Sequence, residues 1–212
     1  MSKLQTRRDF LKTAGKLAAG AALVSTVNPV LNAIAEEKPA AVVHPLPYTK
    51  LDPEKVKEHA YQSFYKYGGC CAGAFDGIVG LMAEEVGYPF NQFPASMFAN
   101  GAAGYGAASL CGSLGGSAAA IGLFLEAKDA RAVTAELFKW YREHEFPLHD
   151  PENYDPKKTV AKSVNCDQSV TKFMQANDIK EMGDPVRLSR CAAVTAECAA
   201  KAAELLNAHF SL

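Results

Sequence analysis

An all-α fold, a single-domain bundle of about five to six helices with a Gly/Ala-rich helix-packing segment, is predicted by three observations. Apolar residues recur at helical spacing, as in Val133, Leu137, Trp140 and Tyr141. Asp52-Pro53-Glu54 and Asp184-Pro185 each place an N-capping carboxylate before a proline in the first helical position. Short β-branched runs with period-two alternation are missing.

In chain order, residues 36–52 are rich in Pro, Ala and Val without a helical period and read as an extended leader. Asp52 opens a helix that carries Val56, Ala60, Phe64 and Tyr67 on one face and stops at Gly68-Gly69. A second helix starts near Cys71, carries Ala74, Ile78, Leu81 and Met82, and ends at Gly87 before Pro89. Residues 88–100 read as an aromatic loop, and 101–122 as a Gly/Ala/Ser segment whose small side chains let helix backbones approach closely. A further helix runs from Asp129, followed by a polar excursion over 144–160 in which His144 and His149 read as solvated. Asn165 reads as the N-cap of a short helix to about Ala176, and Asp184-Pro185 opens the last helix, to about Ala208.

The N-terminus predicts the compartment. Thr6-Arg7-Arg8-Asp9-Phe10-Leu11-Lys12 has the form of a twin-arginine export signal, followed by a mildly apolar run and a small-x-small site at Ala33-Ile34-Ala35. Residues 1–35 are therefore expected to be a signal peptide, and the remaining chain periplasmic, without a membrane span. The full chain has 22 basic and 23 acidic side chains; the signal holds five basic and one acidic, which leaves 17 and 22, a net of −5. A mildly acidic protein has no electrostatic reason to bind nucleic acid or an anionic membrane.

Six cysteines, Cys70, Cys71, Cys111, Cys166, Cys191 and Cys198, form no Cys-x-x-Cys pair. Cys191 and Cys198 lie seven apart on one helix face, so their Cα atoms stand ~10.5 Å apart, beyond the ~7 Å reach of a disulfide. Cys71, Cys111 and Cys166 each follow a helix-breaking or capping element, where free amides and the helix dipole favour thiolate. Three such thiols and one from the last helix could surround a metal or form a reactive disulfide. Gly101-x-x-Gly104-x-Gly106 suggests a phosphate loop at a glance, but it lacks the preceding strand and the Lys-Ser/Thr pair. No Ser-His-Asp, paired-carboxylate or HExxH arrangement supports a hydrolase, and an electron-transfer role fits better than a catalytic one.

Cys71-Ala72, the Gly101–Gly106 segment leading to Cys111-Gly112-Ser113-Leu114-Gly115-Gly116, Asn165-Cys166, Arg190-Cys191 and the tail Ala202–Leu206 together resemble the C-GCAxxG-C-C family of redox-active proteins. The likeness covers roughly residues 54–210, with Ser113 standing where the family usually has Ala. Exported members of that family resemble split-Soret cytochromes c, dimers that carry c-type haems and an iron–sulfur centre. The resemblance implies that Cys71, Cys111, Cys166 and Cys191 are the functional, cofactor- and metal-binding thiols, with Cys70 and Cys198 outside the pattern. No cysteine stands in the Cys-x-x-Cys-His arrangement that attaches haem c. The expectation is an iron–sulfur cluster, [2Fe–2S] or [4Fe–4S], with no c-type haem; the alternative is a metal-free thiol–disulfide protein. A redox protein partner, and a homodimer, are the assemblies expected.

Overall fold

The computed structural model describes residues 41–212. Leader residues 42–52 are extended and pinned at two points: Leu46 N–H donates to Leu123 O at 2.8 Å, and Asn207 exchanges hydrogen bonds with the Leu51 backbone. Helix α1 (Pro53–Tyr67) opens where expected, with Asp52 accepting from Glu54 N–H at 2.9 Å. It stops at Gly68, whose φ of 69° is a left-handed conformation that glycine adopts without a Cβ clash.

The second helical stretch is α2 (Cys70–Phe75), a π-helical turn (Asp76–Gly80) and α3 (Leu81–Glu85) in succession. The wide turn is a feature that periodicity does not show. It sits where the Asp76 carboxylate lies over Gly80; a Cβ there would stand 2.4 Å from Asp76 Oδ1. Asp76 is buried and accepts from Ser63 Oγ (2.6 Å) and from Tyr67 OH (3.4 Å), while His59 Nε2 lies 3.0 Å away. Burial alone would raise its pKa, but the His59 and Ser63 hydrogen bonds outweigh burial and hold it below the ordinary 3.8. A carboxylate with a depressed folded-state pKa contributes stability above the unfolded value and loses it as pH falls through the folded value. Asp76→Asn should therefore cost about 1–3 kcal/mol in urea unfolding at neutral pH. The difference from wild type should shrink as pH is taken below 3.8; an equal gap at pH 7 and in strong acid would contradict this.

Two short 3-10 turns, Phe90–Gln92 and Ala95–Gly101, occupy the stretch read as a loop. They lead through residues 102–110 to α4 (Gly112–Phe124), then α5 (Ala127–Glu143). The polar excursion is bounded by a two-stranded antiparallel ladder, β1 (Glu145–Phe146) with β2 (Thr159–Val160), in the register Glu145↔Val160 and Phe146↔Thr159. Two residues per strand are too few for the alternation that marks a strand in sequence, and the ladder is held by the fully buried Phe146. Helices α6 (Cys166–Ala176) and α7 (Pro185–His209) complete the chain, α7 opening on Asp184, which accepts from Val186 N–H at 2.8 Å.

Small residues set the helix packing. A Cβ on Gly73 would meet Phe64 N at 2.8 Å, and one on Gly77 would meet Ala60 Cβ at 2.5 Å, so the α2 stretch lies backbone-close on α1. Helix α7 is alanine-rich through the middle of the bundle, where Ala192, Ala193, Ala196, Ala199, Ala202 and Ala203 are buried. Larger side chains, among them Phe75, Leu114, Ile121, Leu137, Tyr141 and Leu206, fill the space that remains. Among the described residues no helix is long and apolar enough to cross a membrane.

Candidate metal centre

Three helix starts carry cysteine. Cys70 and Cys71 are the first two residues of α2, Cys111 is the N-cap of α4, and Cys166 is the first residue of α6; Cys191 lies in the second turn of α7. A backbone strap joins two of these starts. Cys111 N–H donates to Val164 O at 2.8 Å, Cys166 N–H to Ser109 O at 2.6 Å and Asp167 N–H to Ala108 O at 3.1 Å, with Leu110 opposite Asn165. The Cys70 sulfur is seated on Gly112, where a Cβ would stand only 2.4 Å from it. The Gly/Ala segment runs through left-handed conformations at Ala103, Gly104, Tyr105 and Gly106, and the Ala103 backbone opposes, without overcoming, the effect of burial on the Cys70 thiol. Its glycines thus serve a backbone that wraps a sulfur.

Cys70, Cys111, Cys166 and Cys191 line one small hollow of about 20 Å³, with Ser169 and Arg190 in its wall. That is room for about one water-sized or ion-sized body. The structure therefore brings together three of the four expected thiols and adds Cys70. Cys71 does not line the hollow; its sulfur fills the space above Gly101, where a Cβ would be 2.5 Å away. Neighbours on a helix diverge by about 100°, so only one of an adjacent pair can face a given point. Cys198 is fully buried one turn beyond Val194 on α7 and lies outside the hollow.

The thiols do not behave as helix starts alone would suggest. Burial, reinforced by the nearby Cys111, pushes the Cys70 thiol well up; burial raises Cys71 to about 11 and Cys166 to about 12. A helix dipole contributes about 0.3–1 kcal/mol at an exposed terminus, less than the several kcal/mol needed to bury an uncompensated anion. Without a cation Cys70, Cys71 and Cys166 keep their protons and pack as small apolar groups. Among the described residues no three Cys, His, Asp or Glu side chains are close enough, as placed, to ligate one ion. A bound cation would have to displace thiol protons and draw the sulfurs inward.

A second observation supports that fit. Arg190 is 2% exposed, on α7 beside the hollow, and has no carboxylate partner among the described residues. Its Nη2 donates to Ser169 Oγ at 2.6 Å, its guanidinium lies over Phe173 at 5.5 Å, and its buried Nε has no partner. Tyr141 OH donates to the same Ser169 oxygen at 3.0 Å. A buried guanidinium calls for negative charge, and Arg190 shares the wall of the hollow with the four cysteines. Arg187 Nη1, nearer the surface, stands 3.7 Å from Cys191 Sγ. Thiolate donors are soft ligands suited to iron, so residues and charge fit an iron centre.

His144 and His149, read as solvated, are not. His144 Nε2 lies 2.9 Å from Glu197 Oε2, and the Leu148 and His149 amides donate to Glu197 Oε1 at 2.8 and 3.1 Å. The buried Glu197 on α7 draws the excursion inward, which the local sequence of that excursion cannot show. The roomier hollow there, about 270 Å³ with Trp140 in its wall, holds none of the cysteines.

The family model described as "putative redox-active protein (C_GCAxxG_C_C)" matches residues 70–205, beginning at Cys70 itself. The chain belongs to this family. It is also 36% identical to a split-Soret cytochrome c of Desulfovibrio desulfuricans, over 95% of this chain and 77% of the relative. The solved structure of the split-Soret cytochrome c from that organism, described as having a novel iron centre, superposes with a TM-score of 0.74 at 37% identity. That match covers 78% of this chain and 72% of the other.

This relationship corrects the expected cofactor. The relative is a cytochrome c, a haem protein, so the expectation of no c-type haem, drawn from the missing Cys-x-x-Cys-His, does not stand. The centre in its structure is described as a novel iron centre, so the expected iron–sulfur cluster does not stand. Four thiols satisfy many soft-metal arrangements, and ligand count alone could not choose between them.

Proposed function

We propose that this chain is an exported electron-transfer protein whose redox centre is iron held by the thiolates of Cys70, Cys111, Cys166 and Cys191. The observation that carries the reading is the convergence of four cysteines from α2, α4, α6 and α7 on one hollow beside a buried, carboxylate-free arginine. Iron bound there would supply a one-electron couple. The chain's own residues hold it: the 108–111/164–167 strap fixes two ligands, Gly112 seats the third, and α7 presents the fourth. The Ala103 backbone favours the thiolate at Cys70, against the larger opposing effect of burial. The exported state rests on the sequence Thr6–Lys12 and Ala33–Ala35, which lies outside the described residues, and the physiological partner is a redox protein.

The test is the iron content and visible spectrum of protein produced with iron available. The expected result is iron bound in proportion to protein, with visible absorbance that changes on reduction and reoxidation. Colourless, iron-free protein that loses thiols in pairs on oxidation would overturn the reading in favour of disulfide chemistry.

A further inference from the structure

We infer that Arg190 is the positioning residue that sets the redox potential of this centre, its guanidinium balancing the negative charge of the iron-bound sulfurs. The inference rests on the proposed iron–thiolate reading. Four thiolates exceed the charge of ferrous or ferric iron, so the loaded hollow carries net negative charge in both oxidation states. The ferrous state carries one negative charge more. A fixed cation beside it favours that state, and in a site that excludes water its effect is screened little.

Two arginines are near enough to serve, and their surroundings separate them. Arg187 is half-buried, reaches Cys191 with Nη1 and donates with Nη2 to the Met182 carbonyl, close to solvent. Arg190 is buried, held by Ser169 on one side and Phe173 on the other; both arginines leave a buried Nε without a partner, so depth of burial is what separates them. A guanidinium is not deprotonated in proteins, so the charge on Arg190 is fixed. A purely architectural arginine would have its donors satisfied by carboxylates or carbonyls. This one has a single hydroxyl and a wall of sulfur.

The experiment measures the midpoint potential of the iron-loaded protein by spectroelectrochemical titration, and iron retention against a chelator, for wild type, Arg190→Met, Arg190→Lys and Arg187→Met. Arg190→Met should move the potential to more negative values and speed iron loss about tenfold or more, the scale of outer-sphere effects on metal sites. Arg190→Lys should restore most of the potential, and Arg187→Met should shift it less than Arg190→Met. A wild-type potential in folded Arg190→Met would overturn the inference. Should that variant fail to fold by circular dichroism, Ser169→Ala takes its place: it keeps the charge but removes its tether, and should shift the potential the same way by less. An unchanged potential there overturns the inference equally. Wild-type protein without iron, or Cys70→Ser with its iron intact, would instead sink the iron–thiolate reading.

Discussion

Cys70→Ser should abolish iron retention, while Cys71→Ser should leave it in place. The two residues are adjacent in sequence and share a helix start, so composition, charge and local propensity are nearly identical for both changes. What separates them is direction. The Cys70 sulfur is seated on Gly112 and faces Cys111, Cys166 and Cys191 across the hollow. The Cys71 sulfur fills the space above Gly101 and approaches Gly115. Loss of an outer partner typically costs 10–100-fold in metal affinity, and loss of a ligand should cost at least the upper end of that range, about 100-fold. Cys71→Ser puts a hydroxyl into an apolar contact and should cost about 1–3 kcal/mol of stability with iron still bound. The measurement is iron per protein after a chelator challenge, read beside the urea midpoint of each variant. Iron lost from Cys71→Ser and kept by Cys70→Ser would reverse the assignment.

Much of the scaffold was legible because helix ends have local chemistry. Asp52-Pro53, Gly68 and Asp184-Pro185 mark helix boundaries in sequence and mark them in the fold. Cys71, Cys111 and Cys166 were legible as candidates from the same logic, and Cys191 from the family resemblance. The choice between Cys70 and Cys71 was not, because it depends on the rotation of α2 against Gly112, which is distant in sequence. The strap between residues 108–111 and 164–167 pairs too few residues to leave an alternating pattern. Arg190 went unread as a site residue because a lone arginine on a helix ordinarily lies in solvent. A signal was there: Arg190, Val194 and Cys198 repeat at i, i+4 and i+8, which puts the charge on the buried stripe of α7. The thiol pKa directions were missed for a matter of magnitude, since the dipole term is visible in sequence and the larger burial term is not.

Among the glycines of the described helices, Gly116→Ala should be the most destabilising, whereas Gly122→Ala, six residues on in the same helix, should be neutral or stabilising. Both exchanges replace the poorest ordinary helix former by the best, a gain of about 0.5–1 kcal/mol where space allows. At Gly122 space does allow, since an added Cβ meets nothing within 4 Å. At Gly116 the Cβ would lie 2.1 Å from Cys71 O, 2.9 Å from Cys71 C and 3.1 Å from Phe75 N. These are backbone atoms of α2, so no rotamer change relieves the clash and the helices must part. Overpacking of a core costs about 1–3 kcal/mol and occasionally more; with backbone on the receiving side the upper end, about 3 kcal/mol, is expected. For a domain of this size that corresponds to a fall in Tm of roughly 6–12 °C. Because α2 moves as a unit, Cys70 is carried away from Gly112, and Gly116→Ala should also lower iron uptake at temperatures where the protein is still folded. Thermal unfolding of both variants beside wild type checks the contrast. A Gly116→Ala protein with wild-type Tm would mean that the close crossing of α2 and α4, on which the seating of Cys70 depends, is not the one described.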